Sequence, residues 1–511
     1  MINHIVILPV IWPLLLGVLL LLLQKQSLQV LRIVSISSVS VLVLLAGWLL
    51  SIVNDGEILV YALGNWLPPF GIVLVADRLA AWMLIITALV SLCALLYAVR
   101  GTDTVGPHFH VLYQLQLFGL NGAFLTGDLF NLFVFFEILL LASYGLLLHG
   151  GGRLRTMAGL HFVIINLVGS TLFLFAVGTL YGLLGTLNMA DLAVKVADVA
   201  SEDIALIRTA GLLLFAVFAL KAALLPLYLW LPAAYAHTSA PVAALFAIMT
   251  KVGAYSILRI YTLIFGEQAG PIANLIQPWL LPLALATLVA GVLGVLASTH
   301  LRQQVAYLVV ASVGTLFIAF GINTSAGIAA GLYYLPHSTF AAAAFFLLAD
   351  GIANRRGEMG DRFEPGLIMM HQRIVGTLFF VVAVLVTGLP PLSGFVGKFM
   401  ILQAALSHTA LPWIMVIVLI TSLFTIIALA RSGSLLFYRA QAPQASHAAM
   451  DTHVQPSIVP DINGLVIATC LLALCAVIMI WAGAIIEFVQ ATANQLLQPD
   501  DYIQSVLGIE K

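Results

Sequence analysis

Long, continuous apolar runs separated by short polar segments make up almost the whole chain. About fourteen of them are long enough to cross a bilayer: 4–23, 30–53, 72–99, 108–126, 128–149, 157–184, 205–236, 240–264, 279–298, 303–321, 324–349, 374–408, 411–438 and 462–490. A spanning helix takes about 20 mostly apolar residues. The apolar positions run on without a two-residue alternation, which predicts helices and excludes a barrel. The longest polar stretches are 187–204, 350–373 and 440–461, and the last (QAPQASHAAMDTHVQPSIVP) predicts a surface loop. The first apolar run leads into Gln24 and Lys25 without a small-residue cleavage site, so it is expected to be a retained helix.

Two runs carry a break. One reads Lys221-Ala-Ala-Leu-Leu-Pro226, with Pro232 beyond. The other reads Gly388-Leu-Pro390-Pro391-Leu-Ser-Gly394-Phe-Val-Gly-Lys398. Proline removes a backbone donor and clashes with the preceding turn, and such a break survives at membrane depth only under protein or beside a water-filled cavity. The breaks lie in the seventh and twelfth runs. The lysine precedes the prolines in one and follows them in the other, the order an inverted repeat gives.

Composition narrows the function. Of 511 residues, 62% are hydrophobic and 8% charged, against roughly a quarter charged in soluble domains. So few charges cannot cover a water-exposed surface, and no sizeable soluble domain is expected. A net charge of −1 gives no reason to expect a nucleic-acid partner. Cys93, Cys470 and Cys475 sit in apolar runs without metal or redox spacing and read as small core residues. No phosphate-binding loop, HExxH or catalytic-triad spacing occurs, so no catalytic residue, metal or cofactor is expected. Of the 20 Lys and Arg, twelve lie in or beside odd-numbered loops, five on the even side and three inside spans. That bias puts the odd loops in the cytoplasm and both termini outside, in a plasma (inner) membrane.

The ionisable residues inside the spans carry the chemistry. Glu137 (fifth span), Lys221 (seventh), Lys251 (eighth), His337 (eleventh) and Lys398 (twelfth, past the break) each fall within a few turns of a span's midpoint, hence within roughly 10 Å of one plane at ~1.5 Å per residue. Each charge at the bilayer centre costs ~2.5–3.5 kcal/mol on insertion scales, a burden retained where groups pair, face water or move protons. Burial moves lysine and glutamate titration toward neutrality, where histidine already titrates. The plain alternative is that they are ion pairs fastening helices. Glu137 is expected to pair with Lys221. His237, at a span end in LPAAYAHTSAP, could admit protons or simply cap a helix. Asp77–Arg78 and Asp350 read as interfacial anchors, and Asp128 as a helix cap.

The run KAALLPLYLWLPAAYAHTSAPVAALFAIMTKVGAYSILR, 221–259, resembles the signature of the antiporter-like membrane subunits of respiratory complex I, membrane hydrogenases and Mrp-type cation/proton antiporters. GDLFNLFVFFEILLLASYGLLLHGG, 127–151, looks most like the D-type subunits of Mrp complexes, and GLPPLSGFVGKF, 388–399, also fits. The short C-terminus is unlike the long members. The resemblance implies an all-α fold of fourteen helices with two inverted five-helix repeats: helices 1–3 over 1–107, the first repeat over 108–264, the second over 272–440, and a loop with the last helix over 441–511. It implies proton-transfer roles for Glu137, Lys221, Lys251, His337 and Lys398. Some relatives carry a lysine one turn after the histidine, where this chain has Ala341, so the link from Lys251 to Lys398 rests on His337 and bound water. The function implied is a non-enzymatic subunit that relays protons in a multisubunit Na+ (or other monovalent cation)/H+ antiporter with further membrane subunits as partners. The alternative is the proton-pumping subunit of a complex I-like or hydrogenase assembly, with redox partners.

Overall fold

A computed structural model describes residues 2–366, 368–439 and 462–508; the expected loop 440–461 and the basic tail residue Lys511 lie outside them. The chain opens with α1 (Leu8–Leu22), α2 (Leu28–Val53), the antiparallel strands β1 (Leu59–Ala62) and β2 (Val73–Ala76), α3 (Arg78–Ala98) and α4 (Phe109–Leu125). Next come α5 (Leu129–Leu148), α6 (Arg153–Leu184), α7 (Met189–Ala197), α8 (Ile204–Ala222), α9 (Trp230–His237), α10 (Ala240–Phe246) and α11 (Met249–Leu263). Then follow α12 (Gln277–Ala297), α13 (Leu301–Gly321), α14 (Ser325–Arg356), α15 (Gln372–Thr387), α16 (Ser393–Ala404) and α17 (Leu411–Gly433). The chain ends in α18 (Asn463–Ile480), α19 (Ala482–Leu497) and α20 (Asp500–Leu507).

Among the described residues, eleven helices are long and apolar enough to cross a membrane, and α1 and α15 are shorter apolar helices. The burial pattern sorts them. The central stretch of α14 is buried on every side, and that of α13 nearly so, as expected of a helix that is apolar all round. By contrast α6 and α17 expose apolar side chains such as Leu160, Phe175, Leu419 and Leu423, faces suited to lipid.

Local chemistry moves several boundaries. The run expected as a helix over 72–99 begins instead as strand β2, rich in β-branched residues that favour a strand. The helix starts only at Arg78, where the Asp77 carboxylate accepts from Ala80 N at 2.9 Å. Asp128 caps α5 as expected, accepting from Asn131 N at 2.8 Å. The polar stretch 187–204 holds the short helix α7, capped by Asn188. The last run, 462–490, is split at Trp481 into α18 and α19, and the short amphipathic α20 follows. Of the cysteines, Cys475 is buried but Cys470 is exposed on the apolar face, so the core reading fails for Cys470.

Both expected breaks are present. Helix α8 ends at Ala222, Ala223 is left-handed (φ 61°), and Leu225–Pro226 is cis; Leu225 N donates to Thr287 Oγ1 on α12 at 2.9 Å. Helix α15 ends at Thr387, Gly388 is left-handed (φ 78°), and Pro390–Pro391 is cis. The opened backbone at the first break is therefore satisfied by a neighbouring side chain, as a break in hydrocarbon requires.

Candidate functional site

Glu137 lies partly buried on α5, and its carboxylate accepts a short hydrogen bond from the Ser170 hydroxyl on α6. Lys221, in the last turn of α8, is 6% exposed and donates to Asn166 Oδ1, also on α6, at 3.1 Å. Its ammonium lies 5.8 Å from the Phe136 ring centroid. Asn166 and Ser170 are one turn apart, so one face of α6 presents the amide to the lysine and the hydroxyl to the glutamate. The direct Glu137–Lys221 ion pair expected from the sequence is not made among the described residues: the carboxylate and the ammonium each bond to a side chain of α6 instead. The break explains the position of Lys221. A helix C-terminus leaves free carbonyls and a partial negative charge, which favour a cation there.

Helix α11 runs directly against this helix end. A Cβ on Gly253 would come within 2.5 Å of Ala222 N and 2.9 Å of the Lys221 carbonyl carbon, so only glycine permits the approach. Lys251, two residues before that contact, is fully buried and donates to Ser312 Oγ on α13 at 3.4 Å. A lysine ammonium has three donors. One long bond leaves two of them for water.

Ser312 is also one wall of a partly open cavity of about 40 Å³, whose lining includes Thr315, His337, Ala341, Lys398 and Ser422. A water needs roughly 10–15 Å³ of such space, so about three fit between the hydroxyl bonded to Lys251 and the ammonium of Lys398. Ala341 occupies the position where a lysine would project into this space. His337, 1% exposed on α14, shares a hydrogen bond between Nδ1 and Ser393 Oγ at 3.0 Å. The second break is moulded to the imidazole: a Cβ on Gly394 would lie 2.9 Å from His337 Nε2 and closer still to the Leu385 carbonyl. Lys398 donates to the Thr387 carbonyl, at the open end of α15, at 2.8 Å, and to Ser422 Oγ on α17 at 3.0 Å. Both broken helices thus offer a free helix C-terminus to a lysine, α8 to its own Lys221 and α15 to Lys398 of the following helix.

The cavity brings together the partner of Lys251, His337 and Lys398. Glu137 and Lys221 sit on the other side of the α8–α11 contact. His237 is not part of the row. It is exposed at the end of α9, and its carbonyl accepts from Arg155 Nε at 3.1 Å. Asn166, Ser170, Ser312, Ser393 and Ser422 were not picked out from the sequence. Asn166 and Ser170 could have been, because an amide and a hydroxyl one turn apart in an apolar helix mark a polar stripe; the other hydroxyls carry no such signal.

Two further clusters flank the row. Asp77 pairs with Arg259, both nearly fully buried, at 2.6 Å, with Tyr502 of α20 stacked 5.2 Å from the guanidinium. Asp350 pairs with Arg302 and accepts from Tyr97 at 2.7 Å. The anchoring expected of these acids is thus made by ion pairs between distant helices, and that of Arg78 by donation to the Asn54 carbonyl at 2.8 Å.

Fold and site together define a polytopic helical membrane protein in which Lys221 and Lys251 are buried and Lys398 partly buried, with a carboxylate at one end and two broken helices. The chain belongs to the NADH:quinone oxidoreductase/Mrp antiporter membrane family, whose model matches residues 126–425. It is similar to a probable K(+)/H(+) antiporter D-type subunit of Rhizobium meliloti, 39% identical over 99% of this chain and 98% of that one. It is also similar to the Na(+)/H(+) antiporter D-type subunit of Bacillus subtilis, 35% identical over 99% of each chain. Among solved structures, a chain of the Mrp complex from Dietzia sp. superposes with a TM-score of 0.87 at 28% identity, covering 99% of each chain. A chain of respiratory complex I from Thermus thermophilus superposes with a TM-score of 0.76 at 24% identity, covering 96% of this chain and 99% of that one, and shares the fold.

Proposed function

We propose that this chain is a proton-translocating subunit of a multisubunit monovalent cation/proton antiporter, a transporter component and not an enzyme, working with other membrane subunits. The observation that carries the reading is the small cavity, largely apolar in its walls, onto which Ser312 (the partner of Lys251), His337 and Lys398 all open. Buried ammonium groups without a carboxylate within ion-pair distance are costly unless water or function supports them. A row of them around hydroxyls and water space is what a relay requires. Relatives named as D-type subunits of Na(+)/H(+) and K(+)/H(+) antiporters, matched end to end, support the same reading.

In this account protons reach Lys251, pass through Ser312 and cavity water, and reach Lys398 by way of His337. Glu137 and Lys221 act as the switch, with Asn166 and Ser170 of α6 as the contacts that rearrange. Freeing the Lys221 charge raises the repulsion felt by the next ammonium along the row. Sodium or potassium would pass through a partner subunit, since few carboxylates are embedded here. We read the eleven long spans, with α1, α4 and the broken pair α15–α16, as fourteen crossings. Helices α4–α11 and α12–α17 are the two inverted repeats, the basic loops are cytoplasmic, and both termini are outside a plasma membrane.

The test is antiport in everted vesicles from cells expressing the whole complex. Replacing Lys251 or Lys398 by Ala should abolish cation-driven ΔpH change while the complex still assembles. Undiminished exchange in an assembled variant would reduce the row to a set of fasteners. The shared family model also admits a redox-complex component; copurification of flavin or iron–sulfur subunits would favour it.

A further inference from the structure

Outside the polar row, a groove of about 910 Å³ lies between α15 and the α17 end, lined by Arg373, Gly376, Phe380, Leu389, Ala430 and Phe437 among others. We propose that this groove holds one anionic phospholipid, its headgroup at Arg373 and its acyl chains along α15 as far as Leu389.

Length decides between a lipid and a transmembrane segment of a partner. From Arg373 to Thr387 is fourteen residues of helix, ~21 Å at ~1.5 Å per residue. Half of a bilayer that is ~40–45 Å thick with its headgroups is about 20–22 Å. The groove therefore spans one leaflet and ends at the backbone break, Gly388–Leu389. A partner helix would need a channel through both leaflets. The volume also falls in the range of sites that enclose a molecule of several hundred daltons.

Charge then selects the headgroup. Among the described residues the Arg373 guanidinium has no hydrogen-bond or ion-pair partner, and it is exposed at the mouth of the groove. Arg439 is exposed at the same end, and Tyr438, 89% exposed and part of the groove lining, stands beside it as an interfacial aromatic. Basic residues at a groove between helices, with an aromatic at headgroup level, are the features that hold an acidic lipid headgroup. The deep end has its own importance. Thr387 lines the groove, and its carbonyl receives the Lys398 ammonium. The occupant thus decides whether hydrocarbon or water backs that end of the polar row.

The experiment uses the intact complex in nanodiscs of phosphatidylglycerol and phosphatidylcholine, with a photoactivatable analogue of one or the other, and mass spectrometry of peptides covering 372–389 and 426–438. Labelling by the phosphatidylglycerol analogue should exceed that by the phosphatidylcholine analogue about fivefold, the factor of about 1 kcal/mol that one basic residue supplies at a lipid surface. Arg373→Gln should bring the two to near equality, and Arg373→Lys should keep the preference. Gly376→Phe should lower both, because a Cβ there already meets the Phe437 ring at 3.5 Å and a larger side chain fills the mouth. Equal labelling of the unaltered complex by both lipids, or a density map showing a protein segment in the groove, would overturn the assignment.

Discussion

Ala341→Leu tests the water link directly. Ala341 lines the cavity between Ser312 and Lys398, a space of about 40 Å³ that holds about three waters at roughly 10–15 Å³ each. Leucine adds three carbons beyond the alanine Cβ, one for each water it would displace. The proton would then have to cross a dry gap, and partial loss of solvation costs a buried charge several kcal/mol. Taking only ~3 kcal/mol on the barrier, exchange slows on the order of a hundredfold. Overpacking costs ~1–3 kcal/mol of stability, so the amount of assembled complex must be followed on native gels alongside activity. Antiport is read as the dequenching of a ΔpH dye in everted vesicles on addition of sodium or potassium. Ala341→Ser, which keeps the space and adds a hydroxyl, is the control and should stay within about twofold of the parent. An assembled Ala341→Leu complex that exchanges at the parent rate would refute the water link through this cavity.

Three other outcomes follow from the geometry. Asn166→Asp places a carboxylate at 3.1 Å from the Lys221 ammonium, pinning it; antiport should fall at least tenfold in assembled complex, with Asn166→Ala less severe. Arg259→Ala leaves Asp77 buried without its partner, a loss of ~3–5 kcal/mol, so the protein should fail to accumulate in membranes, and combining it with Asp77→Asn should recover part of the yield. Asp103, outside the spans, is buried, which opposes its ionisation, yet hydrogen bonds from Arg32 (2.6 Å) and His110 (3.2 Å) hold its carboxyl down at about 2. A folded pKa below the unfolded one gives stability that is present above about pH 4 and lost as the pH falls through about 2. That stability is worth about 1–2 kcal/mol after discounting for the partly exposed Arg32. Asp103→Asn should therefore melt a few degrees lower in detergent at pH 5–8, with the gap closing in acid.

The spans, the two breaks and the five titratable residues could be read from the chain because each is written locally: apolar length, a proline beside a glycine or lysine, a charge amid hydrocarbon. Side-chain partners are not local. Lys221 meets Asn166 across 55 residues, Lys251 meets Ser312 across 61, and His337 meets Ser393 across 56. A hydroxyl in a membrane helix usually bonds the carbonyl three or four residues back, as Ser312 and Thr421 also do. Nothing in the sequence separates a hydroxyl that lines the polar row from one that only satisfies its own helix.

The sequence alone determined that this is a membrane protein of many helices with cations inside apolar runs, because the cost of leaving hydrocarbon or charge in the wrong medium is set residue by residue. Only the tertiary structure decided that Glu137 and Lys221 each bond to α6, that Ala341 leaves room for water, and that Arg259 closes on Asp77. Those outcomes depend on which helix faces rotate toward each other, and that is fixed by close packing across the whole bundle.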